Sequence, residues 1–213
     1  SVYCGSGVDG KGLRCVVFFS GCNLRCPFCH NPETLCSGQE ISAEELFARL
    51  KRYKPYFKKG GVTLSGGEPF LQKEFLLDLA VLLKSGGIHV VAETNGTIAD
   101  EEILSALDGV IVDVKNQEEN DLCKYEKFFD ACGRAGCDYT ITNVLVPGKN
   151  DSNDKLSALS ALVGKRGKRV KFLPFRKLCE DKYAELGLNF IYAGMREAEE
   201  EDIIKAEKAV NQL

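Results

Sequence analysis

The sequence has no long apolar run, no excess of positive charge and no low-complexity segment. Its 213 residues are 44% hydrophobic and 28% charged, with a net charge of -3, which is typical of a globular domain. A membrane span needs about 20 consecutive apolar residues, and Cys15–Phe19 is too short even for the core of a signal peptide. Nucleic-acid binding usually requires a basic face. We therefore expect a cytoplasmic monomer with neither membrane nor nucleic-acid partners.

The chain contains no linker and no internal repeat, so residues 1–213 are expected to form one domain. Apolar patterning predicts six strands alternating with helices, and alternation predicts a parallel sheet with right-handed crossovers. Six units are too few for a closed eight-stranded barrel. We therefore expect an α/β fold, a partial (β/α)6 TIM-like barrel, with a doubly wound sheet as the alternative. The predicted strands are Leu13–Ser20, Gly61–Ser65, Ile88–Ala92, Val110–Val114, Asp138–Val146 and Arg169–Leu173. The predicted helices are Ser42–Leu50, Glu74–Lys84, Asp100–Leu107, Asp121–Cys132, Ser152–Val163 and Ala198–Leu213.

Three cysteines with C-x3-C-x2-C spacing follow the first predicted strand: Cys22, Cys26 and Cys29. Three thiolates can hold three irons of a [4Fe–4S] cluster and leave the fourth iron open to bind and activate a small molecule. A zinc site is the alternative, because His30 or Cys36 would supply a fourth ligand. Coincidental thiols are a third interpretation. The spacing lacks a second C-x2-C pair, which is unusual for zinc and favours iron and sulfur.

The other seven cysteines are scattered along the chain. In a reducing cytosol such residues are ordinary buried or partly buried free thiols. We expect that state for each of them: Cys4, Cys15, Cys36, Cys123, Cys132, Cys137 and Cys179. Because free thiols survive best where oxygen is scarce, their number also favours an anaerobic host.

Polar and glycine-rich motifs follow the predicted strands, at the ends where the active sites of such folds lie. Gly66 and Gly67 would let a ligand approach the backbone closely, and carbonyls there, together with Glu68, would hold a cationic amine. Asp113 and Lys115 alternate along a strand end and so point the same way, which suits a zwitterionic or ribose-bearing ligand. The simpler alternatives are a tight turn and an ordinary surface ion pair.

Glu93 and Thr94 directly follow the neighbouring predicted strand. With Asp113 nearby, the two carboxylates would suit a hard cation. His30, directly after the last clustered cysteine, is either a donor beside the cluster or a plain loop residue.

The segment Cys22-Asn-Leu-Arg-Cys26-Pro-Phe-Cys29-His30-Asn31 resembles the cluster loop of the radical S-adenosylmethionine (SAM) enzymes. Upstream, Asp9-Gly10-Lys11-Gly12-Leu13-Arg14 resembles the D-G-P-G-I-R segment of the enzymes that activate glycyl radical enzymes, with Lys11 in place of proline. Those acting on pyruvate formate-lyase are the most similar. Other motifs follow in the order of that family: Gly66-Gly67-Glu68, Thr94-Asn95-Gly96, Asp113-Val114-Lys115 and Val146-Pro147-Gly148.

The resemblance implies one [4Fe–4S] cluster on Cys22, Cys26 and Cys29, with SAM chelating the fourth iron. It implies a monovalent-cation site bordered by Glu93, Thr94 and Asp113, in which Glu93 replaces the usual aspartate. The distance from Cys29 to Ser42 leaves no room for a ferredoxin-like insert. The implied SAM contacts are Phe28, His30, Gly66, Gly67, Glu68, Asp113, Val114 and Lys115, with Arg176 where the family has a histidine.

The implied activity is reductive cleavage of SAM to a 5′-deoxyadenosyl radical, which takes hydrogen from a glycine of a partner glycyl radical enzyme. Pyruvate formate-lyase is the default partner, and a flavodoxin or ferredoxin the expected electron donor. Two alternatives remain: a radical SAM enzyme acting on a small molecule, as 7-carboxy-7-deazaguanine synthase does, and a non-catalytic iron–sulfur or zinc protein.

Overall fold

The computed structural model describes residues 1–36, 38–57, 59–116 and 122–211. Within these ranges the chain forms seven strands and seven α-helices, which alternate from the second strand to the sixth helix. The strands are β1 Val2–Ser6, β2 Arg14–Phe19, β3 Gly61–Gly66, β4 His89–Thr94, β5 Gly109–Asp113, β6 Tyr139–Leu145 and β7 Val170–Pro174. The helices are α1 Ala43–Lys51, α2 Lys73–Ser85, α3 Glu101–Ala106, α4 Cys123–Ala135, α5 Asn153–Gly164, α6 Glu180–Glu185 and α7 Glu200–Val210.

The strands form one sheet in the order β1-β2-β3-β4-β5-β6-β7. Strands β2 to β7 are parallel, each paired with the next, and β1 pairs antiparallel with β2. The sheet is open, since within the described ranges β1 and β7 each have a single strand neighbour. The predicted partial barrel of six parallel strands is confirmed. The doubly wound alternative is wrong, because a doubly wound sheet reverses its strand order at a switch point.

Two elements were not predicted, β1 and α6. Strand β1 is short, exposed along most of its length and rich in small residues, so it lacks the apolar alternation that marks a strand. Helix α6 is only six residues long and mostly polar. The predicted first residue of α4, Asp121, and the predicted last residues of α7, Gln212 and Leu213, lie outside the described residues.

The hydrophobic core lies between the convex face of the sheet and the helices. Alternate residues of the parallel strands point outward and are fully buried, among them Val62, Leu64, Val90, Ala92 and Val112. Helix α2 packs its buried residues Leu76, Leu79, Ala80 and Leu83 on the same side. Ser42 caps α1 by accepting a hydrogen bond from the backbone of Glu45. No described helix has the length and apolar character needed to cross a bilayer.

The expectation of free thiols is wrong for one pair. Cys4 in β1 and Cys15 in β2 face each other across the antiparallel ladder, with Cα atoms 4.0 Å apart, and form a disulfide. Because β1 was not predicted, nothing in the sequence placed these residues side by side. Cys36 and Cys123 are exposed rather than buried, whereas the remaining three cysteines are buried as expected: Cys132, Cys137 and Cys179.

Helix α2 gives a direct test of the core assignment. Leu79 is completely buried, whereas Val81 on the same helix is 63% exposed. Leu79→Ala should lower the free energy of unfolding by about 3 kcal/mol, because it removes buried methyl groups and leaves a cavity. Val81→Ala should change it by less than about 0.5 kcal/mol. Equilibrium denaturation of both variants checks this, and equal losses would place the core elsewhere.

Candidate active site

A cavity of about 1450 Å³ runs along one face of the sheet, from the loops at the carboxyl ends of the parallel strands to the amino ends of β6 and β7. Because parallel strands all end at the same rim, loops far apart in the sequence meet there. Most of the predicted site residues line this cavity. Its lining includes Cys22, Cys26, Phe28, Cys29, His30, Gly66, Gly67, Glu93, Thr94, Asp113 and Lys115.

The three clustered cysteines lie on one loop at this rim, and each is half-buried. The loop is anchored at its start, where the backbone N–H of Gly21 donates to the carbonyl of Thr34 over 2.6 Å, and near its end, where Cys29 donates to the carbonyl of Cys26 over 3.1 Å. Burial raises the pKa of the Cys26 and Cys29 thiols, and the charge of Lys115 opposes that rise. These thiols are therefore weaker acids than an exposed cysteine, and they lose their protons when a metal binds.

One of the two candidate fourth ligands for zinc, His30, is bonded elsewhere in the structure. Among the described residues, which include Cys22 to Cys36, no three His, Cys, Asp or Glu side chains converge on a point where a single metal ion would be held. His30 points elsewhere, with its Nε2 atom 2.9 Å from the carbonyl oxygen of Arg176. Three thiols on one loop that line an open cavity could hold three irons of a cluster.

Gly66 and Gly67 bring the end of β3 against the cluster loop. Gly67 donates to the carbonyl of Phe19 over 2.9 Å, and Glu68 donates to the carbonyl of Gly21 over 2.8 Å. A Cβ atom at Gly67 would collide with the backbone of Gly21, and Gly66 has a positive φ of 105°. Close backbone packing therefore requires both glycines, in addition to any approach by a ligand.

The Glu68 carboxylate is turned away from the cavity and is fully buried. It accepts hydrogen bonds from the backbone of Phe70 at 3.1 Å, the hydroxyl of Thr94 at 2.9 Å and the backbone of Asn95 at 2.8 Å. Burial raises its pKa, and these three donors oppose the rise. The side chain thus locks the end of β3 to the end of β4, and its predicted contact with the SAM amine remains a prediction.

Asp113 and Lys115 point into the cavity and contact each other, as their alternation predicts. Burial alone would lower the pKa of Lys115, but Asp113 and Cys26 raise it, so the side chain is a cation. Its Nζ atom lies 5.2 Å from the centre of the Phe28 ring. The Oδ1 atom of Asp113 is buried without a hydrogen-bond partner among the described residues. This unused acceptor fits a ligand that brings hydroxyl or ammonium groups, as SAM does.

The side chains of Glu93 and Thr94, two of the candidate cation ligands, point to opposite faces of β4. Glu93 lines the cavity and accepts a hydrogen bond from the hydroxyl of Ser65 over 2.6 Å. Thr94 is the next residue, so its hydroxyl is on the opposite face, where it donates to Glu68. Burial raises the pKa of Glu93, and the carboxylates of Asp9 and Asp113 raise it further.

The remaining residues predicted to contact SAM differ in where their side chains lie. Phe28 is buried and packs on Tyr192, with ring centres 6.0 Å apart. The side chain of Val114 is buried in the outer core. The guanidinium of Arg176 donates to the carbonyl of Ala198 over 2.5 Å. Arg176 therefore holds the segment before α7, and it reaches the cavity region through its own carbonyl, which bonds His30.

Two polar groups near the site were not identified as functional from the sequence. Asn95 lies in the Thr94-Asn95-Gly96 motif, and its amide nitrogen is 3.9 Å from the Cys22 sulfur and 2.9 Å from the side-chain oxygen of Asn23. Behind Lys115, three buried asparagines bond to one another: Asn116, Asn143 and Asn150. In the sequence, only the Thr94-Asn95-Gly96 motif pointed to Asn95. The three asparagines come together because β5 pairs with β6, which the sequence alone does not show.

The chain matches the model of the radical SAM superfamily over residues 16–158. This chain belongs to the radical SAM superfamily. It is 38% identical to the pyruvate formate-lyase-activating enzyme of Clostridium pasteurianum, an alignment covering 97% of this chain and 93% of that protein. It is 32% identical to the enzyme of the same name from Staphylococcus epidermidis, over 96% and 91% of the two chains.

Several solved structures share the fold at lower identity. A radical SAM methyltransferase from Sphaerobacter thermophilus superposes with a TM-score of 0.62 at 18% identity, covering 93% of this chain and 63% of that one. SuiB of Streptococcus suis gives 0.61 at 17% identity, over 74% and 38%. The structure of anSMEcpe with bound AdoMet gives 0.57 at 21%, over 74% and 50%. The radical SAM fold is thus shared, while this chain spans well under two thirds of several of these larger proteins.

The buried Glu93 carboxylate predicts how stability depends on pH. Its pKa in the folded protein is raised above the ordinary value of 4.5, so the folded state binds more protons than the unfolded state between the two values. Stability from this group is therefore present at low pH and is lost as pH rises through the raised pKa. Glu93→Gln should become more stable relative to the wild type as pH rises from 4.5.

Chemical denaturation of the metal-free protein at several pH values measures this difference. Glu74→Gln is the matched control, because Glu74 is exposed in the first turn of α2. A difference between Glu93→Gln and the wild type that stays constant with pH would contradict the assignment.

Proposed function

We propose that this chain activates a glycyl radical enzyme by radical SAM chemistry. A [4Fe–4S] cluster on Cys22, Cys26 and Cys29 would supply the electron that splits SAM into methionine and a 5′-deoxyadenosyl radical, which then takes hydrogen from a glycine of the partner. The supporting observation is the position of these thiols, which line an open cavity beside the unused Asp113 acceptor. The curated relatives that carry this activity match nearly the whole chain.

The protein's own groups would orient SAM and keep water away from it. Asp113 would accept hydrogen bonds from the ligand through its Oδ1 atom, and Lys115 would attract the SAM carboxylate. Phe28, buried under Lys115, would provide an apolar wall. Backbone groups at Gly66 and Gly67 would face the SAM amine, since the Glu68 carboxylate is occupied. Such fixed groups lower the barrier by holding the reacting atoms in position.

Pyruvate formate-lyase is the partner that we propose first, because it is named in the relatives that share 32–38% identity with the chain. The open side of the sheet would admit a partner loop to the cavity. We propose a flavodoxin or ferredoxin as electron donor, a cytoplasmic and anaerobic setting, and a monomer built as one domain without a ferredoxin-like insert. A monovalent cation between Glu93 and Asp113 is also proposed, with Thr94 serving through its backbone.

The activity is tested by incubating the reduced protein with SAM and pyruvate formate-lyase under anaerobic conditions. We expect the electron paramagnetic resonance (EPR) signal of a glycyl radical in the partner, and 5′-deoxyadenosine in solution. A partner in which the radical glycine is replaced by alanine is the control. SAM cleavage stimulated by a heterocycle, with no glycyl radical, would favour the small-molecule alternative.

The ligand assignment is tested with Cys26→Ala and Cys36→Ala. Loss of one of three thiolates should abolish both the visible absorbance of the cluster and SAM cleavage. Cys36 is exposed beyond the loop, so its replacement should leave both unchanged. Full activity in Cys26→Ala, or loss of the cluster in Cys36→Ala, would refute the ligand set.

A further inference from the structure

Helix α6 lies against the segment that follows the cluster loop. It contacts the short 3₁₀ turn Pro32–Leu35. Below this contact, Phe28 of the cluster loop and Tyr183 of α6 belong to the same small apolar cluster, separate from the main core. Its buried members are Phe28, Val146, Phe175, Cys179, Tyr183, Phe190 and Tyr192. Residues 175–192, which are distant in the sequence, therefore pack against Phe28 and support the cluster loop.

Lys182 of α6 makes three polar contacts with this segment. Its ammonium lies 3.0 Å from the carbonyl of His30, 3.1 Å from the side-chain oxygen of Asn31 and 2.7 Å from the carboxylate of Glu33. An ammonium has three donors, so all three are used. Hydrogen bonds from a charged donor are roughly twice as strong as neutral ones. A lone exposed ion pair with Glu33 would contribute little, but here the same cation also binds a backbone carbonyl and an amide.

The segment that Lys182 holds forms part of the wall of the cavity. His30 and Asn31 both line it, directly after Cys29. On the other side, the ring of His30 bonds the carbonyl of Arg176 at 2.9 Å. These contacts join residues 146 to 152 positions apart in the sequence. Without them, the wall beside Cys29 would be tied to the fold by the 3₁₀ turn and by the apolar cluster around Phe28.

We propose that Lys182 is a positioning residue, which fixes residues 30–33 so that Cys29 and the adjoining wall stay in place for the cluster and for SAM. The inference rests on the cluster-binding function proposed above. Lys182 acts through the loop that it holds. Its replacement should therefore leave the fold intact while loosening the cluster.

The test compares Lys182→Met with Lys127→Met, which replaces an exposed lysine on α4. Both variants are loaded anaerobically, and the rate at which a chelator removes iron is measured. Lys182→Met should lose iron about tenfold faster than the wild type, the lower end of the effect of groups that support metal ligands. It should also need more SAM to change the EPR spectrum of the reduced cluster. Lys127→Met should match the wild type in both.

Lys182→Arg keeps the charge and several donors, so its iron loss should be closer to that of the wild type than to that of the Met variant. If Lys182→Met fails to fold, Glu33→Gln weakens the same contact, and it should speed iron loss in the same direction. Iron loss and SAM response equal to the wild type in these variants would overturn the proposal. A wild-type protein that never assembles a cluster would instead refute the proposed function.

Discussion

Parallel pairing of β2 to β7 is the constraint on which the site depends. In this arrangement every strand points its carboxyl end at the same rim, so the cluster loop after β2, the glycines after β3 and the Asp113–Lys115 segment after β5 meet over one cavity. None of these groups would form a site alone. The open edge of the sheet leaves the cavity accessible from the side, as a substrate that is itself a protein requires.

Because successive side chains of a strand point to opposite faces, neighbouring residues have different roles, one in the cavity and one in the structure around it. On β4, the Glu93 side chain faces the cavity, whereas the hydroxyl of Thr94 is directed to the buried Glu68 carboxylate. The Glu68 carboxylate accepts hydrogen bonds from residues at the ends of β3 and β4, so it connects two of the loops that border the cavity. Rigid joints of this kind hold neighbouring ligand groups at fixed distances, which radical chemistry requires because a misplaced radical reacts with whatever lies nearest.

The parts of the fold with strong local patterns could be predicted from the sequence. The six parallel strands have apolar runs bounded by glycine or polar residues, and the cysteine spacing predicts a cluster loop without any tertiary information. Strand β1 could not be found, because an exposed edge strand carries no apolar alternation. For the same reason the Cys4–Cys15 bond was unexpected. The turn of the Glu68 side chain away from the cavity was also unpredictable, since it depends on donors at the end of β4, 26 to 27 residues away.

The proposed cluster would have one iron that no side chain of the described residues ligates. Mössbauer spectroscopy of the anaerobically iron-loaded protein, with and without SAM, tests this most directly. We predict that SAM makes one iron of the cluster distinct from the others, because the amino and carboxylate groups of SAM bind to it. Spectra that do not respond to SAM, or protein that takes up zinc in place of iron, would contradict the account.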